Sequence, residues 1–116
     1  MGTGIWGFPE DAGLAPGAQL VGYKVEATDG SVGKIDKHSE VVGRSYVVVD
    51  TGPWIFGHRV LVPAGVVSRV DHENETVYVS VSKHEIKESP DFESGRDDDD
   101  VMRLRTIEQY YANRHM

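Results

Sequence analysis

Thr51-Gly-Pro-Trp-Ile-Phe-Gly-His-Arg-Val-Leu-Val-Pro63 is the stretch whose reading decides the fold. It joins two apolar runs, Tyr46 to Val49 and Val60 to Val62, through a connection whose tip is Trp54-Ile55-Phe56. Tyr46-Val-Val-Val49 is apolar at successive positions, so a strand built from it has two faces to cover. One face can point into a barrel, and the other then needs a helix, an arm or a second subunit. The return run, His58 to Val62, ends at Pro63, which has no N–H to give a ladder. The flanking segments read as strands that close around this pair.

Upstream, the strand pattern starts at Gln19. Val21, Tyr23 and Val25 alternate with Gly22, Lys24 and Glu26, the period-2 signature of a half-buried strand. Asp29-Gly30 predicts a type I′ hairpin turn, and the return strand spans roughly Ser31 to His38. Gly33 inside that strand predicts a bulge or a close backbone approach. Residues 39 to 44 read as a loop. Downstream, Ala64-Gly65 makes a corner, and Val66 to Asp71 and Thr76 to Ser82 flank the polar tip His72-Glu-Asn-Glu75. Val77, Val79 and Val81 share one face of the last strand. Six strands in short succession predict a mainly-β fold, a small antiparallel six-stranded barrel or rolled sheet.

Ser82-Lys-His-Glu85 predicts a capping box, followed by a helix of about two turns that Pro90 stops, with Ile86 facing inward. Residues 93 to 100 form an acidic linker. Val101, Leu104, Ile107 and Tyr111 then recur at three- and four-residue steps, so 101 to 116 reads as an amphipathic helix. A helix this short is marginal alone and must dock on something. Residues 1 to 18 lack periodicity and read as an irregular arm carrying Ile5, Trp6 and Phe8, which leaves 19 to 92 as the barrel domain.

The 116 residues suit one small domain, a size at which oligomerisation is a common support. Twelve Lys+Arg stand against 19 Asp+Glu, a formal charge of −7, so nucleic acid is not an expected partner without a local basic patch, and the sequence shows none. With no cysteine there is neither a disulfide nor a thiolate site. No apolar run approaches the roughly 20 residues of a membrane span. The first residues lack a secretory signal, and the expected location is the cytoplasm.

Five histidines, at 38, 58, 72, 84 and 115, lack metal-ligand spacing. Asp71-His72-Glu73 and Glu75 share a hairpin tip, where solvated polar residues belong. Asp97 to Asp100 lacks the alternating pattern of a calcium loop and instead suits the start of a helix. No nucleophile elbow and no phosphate loop is present. The expectation is no catalytic residue, no cofactor and no metal. The Trp54-Ile55-Phe56 tip is costly in water, since burial of each side chain contributes about 1.5 to 3 kcal/mol. It either folds over the chain's own barrel or forms an interface. The candidate protein-contact residues are therefore Trp54, Ile55, Phe56, Trp6, Phe8, Leu104, Ile107 and Tyr111.

Five blocks taken together resemble the PRC-barrel family: Leu20-Val-Gly-Tyr-Lys-Val25, Asp29-Gly-Ser-Val-Gly33, Tyr46-Val-Val-Val-Asp50, Val60-Leu-Val-Pro63 and Ser82-Lys-His-Glu-Ile-Lys-Glu-Ser-Pro90. Barrels of this family occur in the photosynthetic reaction-centre H subunit, in the C-terminal domain of a ribosome maturation factor, and as free-standing bacterial and archaeal copies. The Gly52-Pro-Trp-Ile-Phe-Gly57 loop resembles the free-standing bacterial kind. The resemblance implies a small barrel that binds other proteins, often as a dimer, without catalysis. The chain lacks the membrane helix of the H subunit and the N-terminal domain of the ribosome factor, so neither function carries over whole. The reading is thus a non-enzymatic adaptor module, a homodimer with a further protein partner. The alternative is an accessory factor in RNA processing or ribosome assembly.

Overall fold

In the structure, a computed structural model, the residues described are 7, 12–13, 19–41, 44–51, 59–89 and 101–115. Strand β1 (Lys24–Ala27) turns into β2 (Gly30–Val41), followed by β3 (Arg44–Asp50) and β4 (Arg59–Pro63). A 3-10 turn at Ala64–Val66 leads to β5 (Val67–Asp71) and β6 (Thr76–Val79), then to helices α1 (Lys83–Lys87) and α2 (Val101–His115). One sheet holds all six strands in the order β4-β3-β2-β1-β6-β5.

The sheet is mixed, which corrects the antiparallel expectation. Four neighbouring pairs run antiparallel, but β1 and β6 run parallel, with Val25 opposite Val77. The order ends at β4 and β5, and no ladder closes it among the described residues. The cause lies at the corner between those two strands. Direction passed from neighbour to neighbour puts β4 and β5 in the same sense, so the 3-10 turn carries the chain onward without a hairpin's reversal. Ala64 and Val66 are buried there and pin the corner to the core.

Four further expectations shift in detail, the first being that residues 39 to 41 and 44 lie in paired strands, with Val41 opposite Arg44, and not in a loop. Val21 is exposed and Gly22 has φ +94°, while the Tyr23 amide donates to the Leu20 carbonyl at 3.0 Å. Residues 20 to 23 therefore form a turn, and β1 starts only at Lys24. The hairpin tip is Thr28-Asp29, because Gly30 pairs with Ala27 as the first residue of β2. Among the described residues Glu75 alone has positive φ without being glycine, so Thr28 and Asp29 do not meet the type I′ requirement. Helix α1 is five residues long, shorter than expected, with Glu88 as its C-cap.

Gly33 behaves as its place in the sequence predicts. A Cβ built on it would lie 2.2 Å from the Asp50 carbonyl oxygen, so β2 and the end of β3 approach closely because no side chain separates them. Register shifts occur in the β1–β2, β2–β3 and β5–β6 pairs, and such bulges bend and twist a sheet. Only the β3–β4 pair, the one on which the fold reading turned, keeps unbroken register from Tyr46↔Pro63 to Asp50↔Arg59 among the antiparallel pairs.

Both faces of β3 are covered within one chain: Tyr46, Val47, Val48 and Val49 are all buried. One continuous core joins them to Val25, Ile35, Leu61, Val77 and Ile86, and to Leu104, Ile107 and Tyr111 of α2. Helix α2 lies against β4. Of the covers the sequence allowed, a helix of the same chain is present.

Candidate interaction surface

Helix α2 is held by two linked contacts, one to the sheet and one to α1. Its stripe of Leu104, Ile107 and Tyr111 is buried, while Arg105, Thr106, Glu108 and Gln109 on the other faces are exposed. Burial of these three side chains contributes about 1.5 to 3 kcal/mol each, which offsets the marginal stability of a lone helix. The Tyr110 hydroxyl donates to the backbone carbonyl of Glu85, tying α2 to α1. Tyr110 and Tyr111 meet edge to face, their ring centroids 5.1 Å apart.

Helix α1 is fixed in turn from its N-terminus. The Ser82 hydroxyl accepts from the Glu85 amide at 3.1 Å, and the Glu85 carboxylate accepts from the Ser82 amide at 2.8 Å, the complete capping box. The Asp29 carboxylate, at the β1–β2 tip, accepts from the Lys83 amide at 2.8 Å. The Thr28 amide donates to the Val81 carbonyl at 3.0 Å. A hairpin tip, a capped helical turn and the C-terminal helix thus form one connected block.

Within this block the Tyr111 hydroxyl is buried without a hydrogen bond of ordinary geometry, although the Ser89 side chain lies beside it. The Ser89 hydroxyl donates elsewhere, to the Ile86 carbonyl at 2.8 Å. Burial raises the Tyr111 phenol pKa well above its ordinary value, with the neighbouring Ser89 hydroxyl opposing.

Of the residues singled out for protein contact, Leu104, Ile107 and Tyr111 sit in the chain's own core. Trp6, Phe8, Trp54, Ile55 and Phe56 lie outside the described residues. The structure therefore brings the helical three together with the sheet.

The β5–β6 tip is solvent-facing as expected, with Glu73, Asn74 and Glu75 exposed, and it is also ordered by side-chain hydrogen bonds. The Asp71 carboxylate accepts from the Asn74 side-chain amide at 2.8 Å and from the Asn74 backbone at 3.1 Å. These two bonds, the side-chain one first, hold the Asp71 pKa below its ordinary value. His72 does not stand free beside it: Nδ1 lies 3.0 Å from the Tyr23 hydroxyl and Nε2 lies 3.0 Å from the Gly13 carbonyl. No local pattern signals this contact, since His72 and Gly13 are 59 residues apart. Among the described residues no group of three or more His, Asp or Glu side chains could hold a metal ion. No helix among them is long and apolar enough to cross a membrane.

The exposed part of the sheet carries polar and aromatic groups. Arg69 of β5 stacks on Tyr78 of β6 with its guanidinium carbon 4.5 Å from the ring centroid, and the two are register partners. Tyr78 pairs in turn with Glu26 of β1. On β4, Arg59 bonds Asp36 of β2 at 2.9 Å across a solvent-exposed gap, a pair that contributes about 0 to 1 kcal/mol.

No family model matches the chain, and no curated protein does. Among solved structures it is similar to a putative 16S ribosomal RNA processing protein, RimM, from Pseudomonas aeruginosa, at 22% identity and a TM-score of 0.49. The similar region covers 60% of this chain and 47% of that one, so the match spans about half the length of the neighbour. The residue blocks that resemble the PRC-barrel family fall on the observed elements: the turn into β1, the β1–β2 tip, β3, β4 and α1 with its cap.

Proposed function

We propose that the chain is a non-enzymatic binding module of PRC-barrel type that acts by docking on protein. The observation behind this reading is the filled interior. Val25, Ile35, Val47, Val60, Leu61 and Val77 are all buried in one apolar core, so the sheet encloses side chains in place of a substrate. Ionisable side chains such as Lys24, Arg69, Glu73 and Arg105 stand outside it, where they can meet a partner. With α2 docked internally, the contact residues assigned in this reading are Trp6 and Phe8 of the arm and Trp54 to Phe56 of the tip. The tip also supplies the proposed homodimer contact.

Light scattering and a pull-down from native cytosol, run on the full chain and on Trp54→Ser, test this reading. Loss of the dimer or of a captured protein in the variant, with unchanged thermal stability, is expected. A monomer whose variant loses neither stability nor partner would contradict the proposal.

A second reading is an accessory role in RNA processing or ribosome assembly; the RimM neighbour is named a putative 16S ribosomal RNA processing protein. Co-sedimentation with ribosomal subunits tests it. Retention at moderate salt points to protein contacts, whereas loss points to phosphate contacts. Absence of co-sedimentation at low salt would remove this reading.

A further inference from the structure

His72 stands at the meeting of three segments that are remote in sequence. Its Nε2 lies 3.0 Å from the Gly13 carbonyl, and its Nδ1 lies 3.0 Å from the Tyr23 hydroxyl just before β1. A carbonyl only accepts, so in the neutral ring Nε2 carries the proton. Nδ1 is then the acceptor, and the Tyr23 hydroxyl donates to it. The Tyr23 ring also packs edge-on against the imidazole, with centroids 5.8 Å apart and planes at 75°. The Gly13 carbonyl thereby selects the tautomer, and Tyr23 holds the ring in the orientation that reaches that carbonyl.

The other side of the contact is equally shaped. Ala12 is fully buried in the core cluster, and Gly13 follows it at φ +89°. A Cβ on Gly13 would meet the Val70 carbonyl oxygen at 3.2 Å, so glycine suits both the backbone turn and the close approach to β5. The methyl of Ala12 fills the core while the next carbonyl is turned to the imidazole.

We infer that His72, set by Tyr23, is a clasp that fastens the N-terminal segment at Ala12-Gly13 onto the β5–β6 hairpin, and that this clasp opens separately from unfolding of the sheet. Among the described residues one hydrogen bond and one buried methyl join Ala12-Gly13 to the rest of the chain, whereas several strand ladders and a large apolar core hold the sheet, so the segment belongs to the low-stability end of the molecule.

Nitrogen-15 NMR on the full chain tests this at a pH where the ring is neutral. In the native protein Ala12 and Gly13 amides should show order parameters near about 0.85, and His72 should show one tautomer, protonated at Nε2. In His72→Ala the two order parameters should fall below about 0.6 while the amide shifts of Val47 to Val49 stay in place. Tyr23→Phe keeps the apolar ring and removes the hydroxyl, so the imidazole nitrogens should shift toward an average of both tautomers. This second variant keeps the idea testable even if the first fails to fold. Unchanged order at Ala12 and Gly13 in a folded His72→Ala, a native ring protonated at Nδ1, or a tautomer unaffected by Tyr23→Phe would each overturn the inference.

Discussion

Gly33 and Tyr111 are the two residues whose chemistry makes the sharpest demands on their surroundings. A methyl at position 33 would sit 2.2 Å from the Asp50 oxygen, a backbone atom that cannot swing aside. Gly33→Ala should therefore destabilise the protein by about 3 kcal/mol, read as a lower denaturation midpoint at unchanged slope. Tyr111 makes the opposite prediction. Its buried hydroxyl lacks a well-formed hydrogen bond, and an unsatisfied buried polar group costs about 1 to 3 kcal/mol. Tyr111→Phe should leave stability equal or raise it. It should also change the pH dependence. The folded phenol pKa is raised, so above about pH 10 the unfolded chain loses this proton while the folded chain keeps it, and stability falls as pH rises. Denaturation curves at pH 8 and pH 10.5 should show the gap between Tyr111→Phe and the parent widening in the variant's favour.

At the scale of elements, local chemistry explains what could be read in advance. The capping box at Ser82 and Glu85, the inward Ile86 and the buried row Val77, Val79 and Val81 depend on neighbours within a few residues, and all are present. Ser82→Ala should cost about 1 kcal/mol by removing the cap, measurable by thermal denaturation. The loss should loosen the seat of Tyr110 as well, since its hydroxyl binds the carbonyl of Glu85 in that turn. The parallel β1–β6 seam was not legible, because no turn connects those strands and the sense of each depends on the corner at Ala64–Val66. Thr28-Asp29 took the hairpin tip because the register shift after Val25 moves the pairing that Asp29-Gly30 suggested. From the sequence His72 reads as a tip residue with local neighbours alone, because its partners, Tyr23 and Gly13, come from the N-terminal part of the chain. The stripe at Leu104, Ile107 and Tyr111 was recognisable as apolar, but periodicity does not say whether such a face meets its own sheet or another protein.

At the scale of the whole molecule, the structure answers that question with the chain's own sheet. Tyr46 to Val49 need two covers, and β3 has both within a single chain, so stability does not require a partner subunit. On the proposed reading association uses Trp6, Phe8 and the 54–56 tip, and changes there should abolish it without loss of fold. The charge of −7 adds that free RNA should not be retained at physiological salt in a filter-binding assay.

The central claim is that sheet and C-terminal helix share one core, and native-state amide hydrogen exchange tests it most directly. If α2 completes that core, amides at Ile107 and Tyr111 should exchange with the same opening free energy, and the same denaturant dependence, as those of Val47 to Val49. Exchange at Ile107 and Tyr111 through a low-energy opening that leaves Val47 to Val49 protected would contradict it, and would return the helical stripe to the surface as a face awaiting a partner.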